Sequence, residues 1–311
     1  MRKEEWKTES CCGLTQLHAV CWLPEGEPVG VLQLVHGMQE YIDRYEPMAA
    51  FFCAQGYVVC GHDHLGHGES LIEGKRGYFG REHPVENLVG DVHVIRGEMQ
   101  KRFAGLPYFI FGHSMGSFIT RLYLTRRAEG LAGAIICGTA GPNRANLAAK
   151  PALRLLWTLR GANYVSKRFA MIIPVMYNKR FASEGHSAWL TRVRDVRETY
   201  NRDPKIRFFF TVSALWTLLD MLDRVSAKDW PRLLPQSLPM LLTSGADDPV
   251  GAFGEGVRTV YDRMMRRGFD DLEIKLYYDC RHELMNEENR GEILADWLAW
   301  LEAHRPKEGT A

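Results

Sequence analysis

Gly112-His113-Ser114-Met115-Gly116 is the stretch of sequence that decides the fold. It stands between an apolar run, residues 108–111, and a helix-like stretch, residues 117–127. A strand, a sharp turn and a helix in this order, with a serine at the turn and glycines where a side chain would collide, predict a nucleophile elbow. A serine hydroxyl attacks a carbonyl only when a base removes its proton and donors stabilise the oxyanion, so both should stand elsewhere in the chain.

Strand and helix patterns alternate on either side of the elbow, which is typical of a mainly parallel sheet flanked by helices. Further strands are predicted at 14–23, 29–35, 57–61, 131–137, 240–244 and 272–278, and helices at 45–55, 85–103, 254–267 and 289–304. The first of these strands is short and alternating, so we expect it to form an antiparallel edge. The predicted fold class is therefore α/β.

This alternation is lost between about residues 142 and 239. Aromatic residues appear there among arginines and lysines, without clear strands. The change predicts that residues 142–239 form a helical cap, inserted into a core made of residues 1–141 and 240–311.

One helix of the predicted cap has an apolar face. The residues of this face recur at helical spacing, and only Thr211 among them is polar. They are Phe208, Thr211, Val212, Leu215, Leu219 and Leu222. Phe209, Trp216 and Leu219 are our candidates for substrate-binding residues on this helix. The alternative is that the face only packs the cap onto the core, since apolar stripes usually form core.

An acid and a histidine follow the two strands after the cap, as a catalytic triad would require. In a parallel sheet the loops that carry function lie at the carboxyl ends of strands. Asp247 and Asp248 follow the first of the two strands and His282 follows the second. His282 would take the proton of Ser114 while a buried carboxylate fixed its tautomer. Asp248 is the preferred acid because Pro249 fixes the backbone after it, whereas Asp247 is predicted to cap the turn.

The oxyanion donors should come from the residue after the nucleophile and from the loop after the strand that ends at His36. The candidates are the backbone N–H groups of Met115 and Met38. Gly37 allows the chain to approach a substrate closely. The alternative is that His36 and Gly37 form only a strand-end turn.

Composition limits the function classes. Lysine and arginine number 39 against 38 aspartates and glutamates, a net charge of +1, so no global positive field would attract nucleic acid. The first ten residues are polar and no stretch is long and apolar enough to span a bilayer, which predicts a soluble, cytoplasmic protein. The seven cysteines include no C-x-x-C pair. We therefore expect no disulfide framework, no zinc ribbon and no cofactor.

Three histidines raise a competing chemistry. His62, His64 and His67 approach the H-x-H-x-D-H spacing of metallo-hydrolases, in which imidazole and carboxylate groups bind zinc. Gly66 stands where that pattern requires its aspartate, so we expect no metal site. Asp63 and Ser70 are predicted instead to hold this loop through bonds from side chain to backbone.

Several of these motifs together resemble one family. They are His36-Gly37-Met38-Gln39-Glu40-Tyr41 with Arg44-Tyr45, Asp63-His64-Leu65-Gly66-His67-Gly68-Glu69-Ser70, the elbow, and the positions of Asp248 and His282. They are similar to those of the α/β-hydrolase family of lysophospholipases and monoacylglycerol lipases, a group also filed under serine aminopeptidase S33. The resemblance runs from about Val29 to His304. It implies an α/β-hydrolase fold and a serine ester hydrolase with a helical cap. The family often has histidine where this chain has Tyr41, so contacts at that position are not carried over.

Three functions follow as hypotheses. The first is hydrolysis of small-molecule carboxylic esters, lipid-like ones of the monoacylglycerol or lysophospholipid type, with the cap making transient contact with a membrane surface. The second is an S33-type aminopeptidase, which needs an acidic site for the free α-amino group; the cap offers Glu184, Asp195, Glu198 and Asp220. The third is a binding protein without activity on a hydrolase scaffold.

Overall fold

A computed structural model describes residues 1–142 and 145–306, and in these residues it contains an eight-stranded sheet. The strands are β1 (Arg2–Glu9), β2 (Gln16–Leu23), β3 (Gly30–Val35), β4 (Tyr57–His62), β5 (Tyr108–His113), β6 (Gly133–Cys137), β7 (Met240–Gly245) and β8 (Leu272–Tyr277). They lie in the order β1-β2-β4-β3-β5-β6-β7-β8, and every pair from β4 to β8 is parallel. The predicted α/β class with a mostly parallel sheet is confirmed.

The edge of the sheet differs from the prediction. β1 is an additional strand, antiparallel to β2, and β2 also pairs antiparallel with β4. The strand predicted at 14–23 is therefore interior, and its assignment to the edge was wrong. β1 carries six charged side chains in eight residues, and none of its residues is fully buried. Its sequence therefore lacks the alternation of apolar and polar residues that predicts a strand.

Helices cover both faces of the sheet. In chain order they are α1 (Glu46–Ala54), α2 (Pro84–Arg102), α3 (Met115–Arg127), α4 (Ala145–Arg160), α5 (Lys167–Ala170), α6 (Ile172–Asn178), α7 (Arg194–Arg202), α8 (Val212–Ser226), α9 (Glu255–Met265) and α10 (Arg290–His304). α1 and α10 share a core with one face, while α2, α3 and α9 pack on the other. The five strands β3 to β7 are buried throughout. In this three-layer arrangement the carboxyl ends of β3 to β8 lie along one edge of the sheet.

The helices α4 to α8 stand between β6 and β7 in the chain. α8 begins at Val212, because the Thr211 side chain accepts a hydrogen bond from the Ala214 N–H at 3.2 Å and caps the helix. Phe208 to Phe210 therefore precede the helix, and the prediction that they continue its apolar face was wrong. No helix in the described part of the chain combines the length and the apolar character needed to cross a membrane.

Candidate active site

The serine of the elbow has an unusual backbone conformation. Ser114 lies between β5 and α3 with φ 53° and ψ −120°, a region that non-glycine residues rarely adopt. Its N–H donates to the Cys137 carbonyl at 3.0 Å, which ties the turn to β6. A Cβ at Gly116 would fall on the Val35 carbonyl, and a Cβ at Gly112 would fall on the Thr120 hydroxyl. Both glycines are therefore required for the turn, and the turn projects the serine out of the sheet.

His282 follows β8 and contacts Asp248. The His282 Nδ1 lies 2.9 Å from Asp248 Oδ2. Asp248 is fully buried and also accepts hydrogen bonds from the Ser244 hydroxyl at 3.0 Å and the Val250 N–H at 2.8 Å. Since a carboxylate only accepts, the proton of the neutral imidazole is held on Nδ1 and Nε2 is left as a base.

The neighbouring aspartate has different surroundings. Asp247 is about one-third exposed, and its carboxylate lies 3.5 Å from the Arg180 guanidinium. It does not contact His282. The structure thus brings Asp248, and not Asp247, to the histidine.

Ser114 and His282 line one small cavity. Its volume is about 20 Å³, and its wall also includes Met38, Trp189 and Tyr200. A cavity of this size holds about one water molecule. The elbow serine and the histidine after the last strand therefore face the same space, although they are 168 positions apart in the chain.

The predicted oxyanion donors lie beside the serine. Met115 is the first residue of α3, so its N–H has no partner within the helix and stands at the positive end of the helix dipole. In the other loop, the Gln39 N–H donates to His67 Nε2 at 3.2 Å and the Gly37 N–H donates to Glu40. Among the described residues, the Met38 N–H between them has no protein acceptor. Both methionines line a cavity together with Ser114.

That cavity is large and apolar. Its volume is about 350 Å³, within the range of small-molecule sites. Helices α4, α5, α6 and α8 provide most of its lining, which includes Leu153, Phe169, Ile173, Leu215, Leu219 and Leu222. Ser114 lies at one wall, so an acyl chain placed in the cavity would have its carbonyl at the serine.

The three predicted substrate-binding residues are separated in the structure. Leu219 lines the apolar cavity with Ser114. Phe209 lines a second cavity of about 500 Å³, which also contains Gln39 and Tyr200. Trp216 lies in neither cavity lining and packs against Trp157, with ring centroids 6.3 Å apart.

Trp189 lines both cavities and was not singled out from the sequence. Its ring centroid lies 5.1 Å from that of His282. No motif marks this tryptophan, because it comes from an irregular part of the chain between α6 and α7.

The same irregular part is bonded to the loop that carries His282. The Arg281 guanidinium pairs with the Glu184 carboxylate at 2.7 Å. The Glu283 N–H donates to the Leu190 carbonyl at 2.7 Å, and the Thr191 hydroxyl donates to the Asn286 carbonyl at 3.0 Å. Residues 184–192 are therefore fixed to the histidine loop by backbone as well as side-chain bonds.

His64 and His67 make hydrogen bonds within the protein, whereas both ring nitrogens of the buried His62 have no hydrogen-bond partner among the described residues. The His64 N–H donates to His36 Nε2 at 2.9 Å, and His67 Nε2 accepts from Gln39, as described above. Burial lowers the pKa of His62 and of His67 to about 3, so these rings are neutral. In the described residues, the three groups close enough together to hold a metal are Asp271, just before β8, Glu273 on β8 and His304 on α10.

Asp63 and Ser70 hold the loop as predicted. Asp63 accepts from the Ile42 N–H at 2.9 Å and the Glu69 N–H at 2.8 Å, and the Ser70 hydroxyl accepts from the His18 N–H at 2.9 Å. Asp63 also pairs with the His18 ring at 2.9 Å. These bonds fix the loop that supports the Met38 segment.

Comparison with known proteins places this chain in a family. The family model described as serine aminopeptidase, S33 matches residues 26–289. The chain is 29% identical to a monoglyceride lipase from Homo sapiens over 93% of its own length and 88% of that protein. It is 27% identical to a monoacylglycerol lipase from Mycolicibacterium smegmatis, with 91% of each chain covered. A highly thermostable carboxyl esterase from Bacillus coagulans, solved in complex with glycerol, is 28% identical with a TM-score of 0.90 and covers 97% of this chain and 99% of the esterase.

Proposed function

Because the chain belongs to the serine aminopeptidase S33 family of α/β-hydrolases, we propose that it cleaves lipid-like esters of the monoacylglycerol or lysophospholipid type. It is a serine carboxylic ester hydrolase, as the relatives and the solved structures that it resembles indicate. The observation that carries the lipid proposal is the apolar cavity of about 350 Å³ that opens at Ser114. A cavity with this lining accepts an acyl chain and offers few partners to a polar side chain.

The proposed mechanism consists of two acyl transfers. Ser114 attacks the ester carbonyl while His282 takes its proton at Nε2, and His282 then gives the proton to the leaving alcohol. Asp248 holds the His282 tautomer through the 2.9 Å contact at Nδ1. The N–H groups of Met38 and Met115 stabilise the oxyanion. Water, activated by His282, hydrolyses the acyl-enzyme in the second transfer.

The cap belongs to the proposal as the part that selects the acyl chain. Residues 142–239 supply most of the lining of the apolar cavity, and residues 1–141 with 240–311 supply Ser114, Asp248 and His282. This division means that chemistry and chain-length preference reside in different parts of the protein.

The charges of the cap disfavour the aminopeptidase alternative. Glu184 pairs with Arg281, Glu198 with Arg194, and Asp220 with Arg224, while Asp195 is exposed. None of these four acids lines a cavity that contains Ser114. Turnover of p-nitrophenyl esters beside aminoacyl anilides tests the choice. We expect ester turnover to dominate, and faster turnover of the anilides would reject the lipid proposal.

Shortening Leu219 should change the acyl-chain preference. In the Leu219→Ala variant the space released in the apolar cavity should raise kcat/KM for longer acyl esters relative to short ones, by about fourfold for each additional methylene buried. The measurement is kcat/KM across a series of p-nitrophenyl esters. Trp216→Ala is the matched control, because Trp216 is on the same helix but outside the lining. It should lower thermal stability and leave the profile unchanged. The same profile for Leu219→Ala and the parent would move the acyl chain elsewhere.

The outer surface of the cap supports the proposed contact with a membrane. No aspartate or glutamate occurs from residue 130 to residue 183. Over residues 150–180 the structure has exposed apolar side chains, including Leu155, Leu159, Val175 and Met176, with exposed Arg154, Arg160, Lys167, Arg168, Lys179 and Arg180 among them. Apolar groups with basic neighbours bind anionic lipid surfaces, and this surface covers the apolar cavity. We therefore place the entry of lipid substrate here.

Binding to vesicles tests this surface. The chain should sediment with vesicles that contain an anionic phospholipid more strongly than with phosphatidylcholine alone, and salt should weaken the difference. Replacing Arg154 and Lys167 with glutamate should lower anionic binding by roughly tenfold or more, since each basic residue near the surface contributes about 1 kcal/mol. Leu14→Ser is a control at an exposed leucine outside the cap. Equal binding by both vesicle types would contradict an electrostatic contribution. The predicted cytoplasmic location and the lack of a nucleic-acid partner stay predictions.

A further inference from the structure

A group of buried charges lies behind the candidate active site. Glu40 is 4% exposed and follows the oxyanion loop. Its Oε1 accepts hydrogen bonds from the Gly37 N–H and, at 2.9 Å, from the Tyr45 hydroxyl. The same oxygen lies 3.0 Å from His113 Nδ1. A single carboxylate therefore joins the loop of Met38 to the residue that precedes Ser114.

Arg44 extends the group to the histidine loop. Its guanidinium donates to Glu40 Oε2 at 2.9 Å and, in bidentate geometry, to the two Glu283 oxygens at 3.0 Å each. Glu283 is the residue after His282. His113 closes the ring, because its Nε2 lies 3.2 Å from the His282 carbonyl. We call Glu40, Arg44, His113 and Glu283 the charge ring.

Both nitrogens of His113 face acceptors. Nε2 faces the His282 carbonyl oxygen, which cannot donate. Nδ1 faces the Glu40 carboxylate at 3.0 Å and also lies 3.0 Å from the Tyr45 hydroxyl, which is 2.9 Å from the same Glu40 oxygen. A neutral imidazole has one N–H and would leave one of these contacts without a proton. The contacts to Glu40 and to the His282 carbonyl therefore favour the doubly protonated ring.

The charge count of the ring agrees with this state. Two buried carboxylates, Glu40 and Glu283, face one guanidinium, Arg44. With His113 neutral, the buried group would carry one uncompensated negative charge, which is costly in a low-dielectric interior. With His113 protonated the group is neutral.

We infer that His113 is held as an imidazolium and is a positioning residue, which fixes the His282 loop relative to Ser114 and the oxyanion loop. This inference rests on the proposed function, since positioning by the charge ring matters only if the His282 loop, Ser114 and the oxyanion loop perform ester hydrolysis. His113 acts through other residues: its Nε2–H holds the backbone of His282, and its Nδ1–H holds Glu40, which in turn holds Gly37. The ring centroids of His113 and His282 are 4.7 Å apart.

The inference predicts a dependence on pH. Burial by itself lowers the pKa of His113, but the hydrogen bond to Glu40 and the charges around it outweigh burial and raise the pKa. A histidine with a raised pKa keeps its contribution at acidic and neutral pH and loses it as the pH rises through that raised value. The groups that face His113 are Glu40 and Tyr45 on the oxyanion side, Arg44 beyond Glu40, and His36, His282 and Glu283.

The decisive measurement is made on the native chain. Selective 15N labelling of histidine, with the His113 signals assigned by their absence from His113→Gln, reports the protonation of both ring nitrogens by NMR. We expect imidazolium-type shifts at both nitrogens at neutral pH, lost as the pH is raised. A neutral tautomer at neutral pH would overturn the inference whatever the activity of any variant.

Kinetics supply the second readout. The His113→Gln variant should lower kcat/KM for a soluble p-nitrophenyl ester by about 10²-fold, the loss that small misplacements of catalytic groups produce. We expect the native enzyme to lose activity at alkaline pH as His113 loses its proton, and the variant to lack this alkaline limb, because an amide does not titrate. His93→Gln, at a half-buried histidine of α2 that bonds to Tyr123, is the matched control and should keep both rate and limb. A native-like alkaline limb in His113→Gln would reject the inference, whereas esterase activity independent of Ser114 would reject the proposed function instead.

Discussion

Replacing Ser114 by alanine is expected to lower kcat for ester hydrolysis by about 10⁴- to 10⁶-fold, as in other triad enzymes that lose their nucleophile. The fold should be retained. Ser114 contributes little packing, and the turn is held by its backbone bond to Cys137 and by the close approach of Gly116 to β3. Turnover of p-nitrophenyl esters and labelling by a fluorophosphonate measure the loss.

The design must separate loss of chemistry from loss of structure. Thermal unfolding of the Ser114→Ala variant should remain close to that of the parent, and the vesicle binding proposed for the cap should be unaffected. Full turnover by a purified, correctly folded Ser114→Ala protein would remove the serine from the mechanism and leave the fold without an assigned nucleophile.

Replacing Asp248 by asparagine should lower kcat by about 10³- to 10⁴-fold. In the native structure Asp248 Oδ2 faces His282 Nδ1 and Oδ1 accepts from the Val250 N–H. If the asparagine oxygen keeps the bond to Val250, its amide N–H₂ points at His282 and selects the tautomer with the proton on Nε2. That tautomer cannot accept the Ser114 proton. The measurement is kcat for the same soluble ester.

Asp247→Asn is the matched control, one position away. Asp247 is partly exposed and pairs with Arg180 at 3.5 Å, and a surface pair of this kind contributes about 0 to 1 kcal/mol. We expect little change in kcat and a small change in the stability of the loop. If the large loss appeared in Asp247→Asn rather than Asp248→Asn, the acid would have to be reassigned.

The core of the fold could be predicted from the sequence because its strands are short, apolar and separated by helices with clear ends. β1 could not be predicted. Its residues are mostly charged, and it becomes a strand only because β2 offers a free edge. Pairing of this kind depends on the rest of the sheet and leaves little trace in local hydrophobicity.

The start of α8 shows a second limit. The apolar spacing from Phe208 onward fits a helix, but Thr211 caps the helix and the Thr211 N–H bonds to the Gly77 carbonyl at 2.9 Å. That bond connects segments more than 130 positions apart, so periodicity alone could not reveal it. The same holds for the placement of Phe209 in a different cavity from Leu219.

The candidate triad could be proposed from sequence because each member follows a predicted strand in a short motif of its own. The charge ring could not. Glu40 and Arg44 stand in the first motif and Glu283 follows His282, yet nothing in the sequence pairs a residue near position 40 with one near 283. Polar networks between distant loops require the tertiary structure, even where every member lies beside a recognisable motif.

The bonds between residues 184–192 and the histidine loop set a rule for constructing chimaeras. A donor sequence that replaced all of residues 142–239 would break the Glu184 to Arg281 pair and the bond from Glu283 to the Leu190 carbonyl. It would therefore disturb the position of His282 as well as the lining of the apolar cavity. The hydrogen bonds and ion pairs of residues 149–178 within the described chain join them chiefly to one another and to α8. A transplant limited to that shorter unit should transfer the part of the acyl-chain preference that α4, α5 and α6 set, while the recipient keeps its own α8 and its own catalytic geometry.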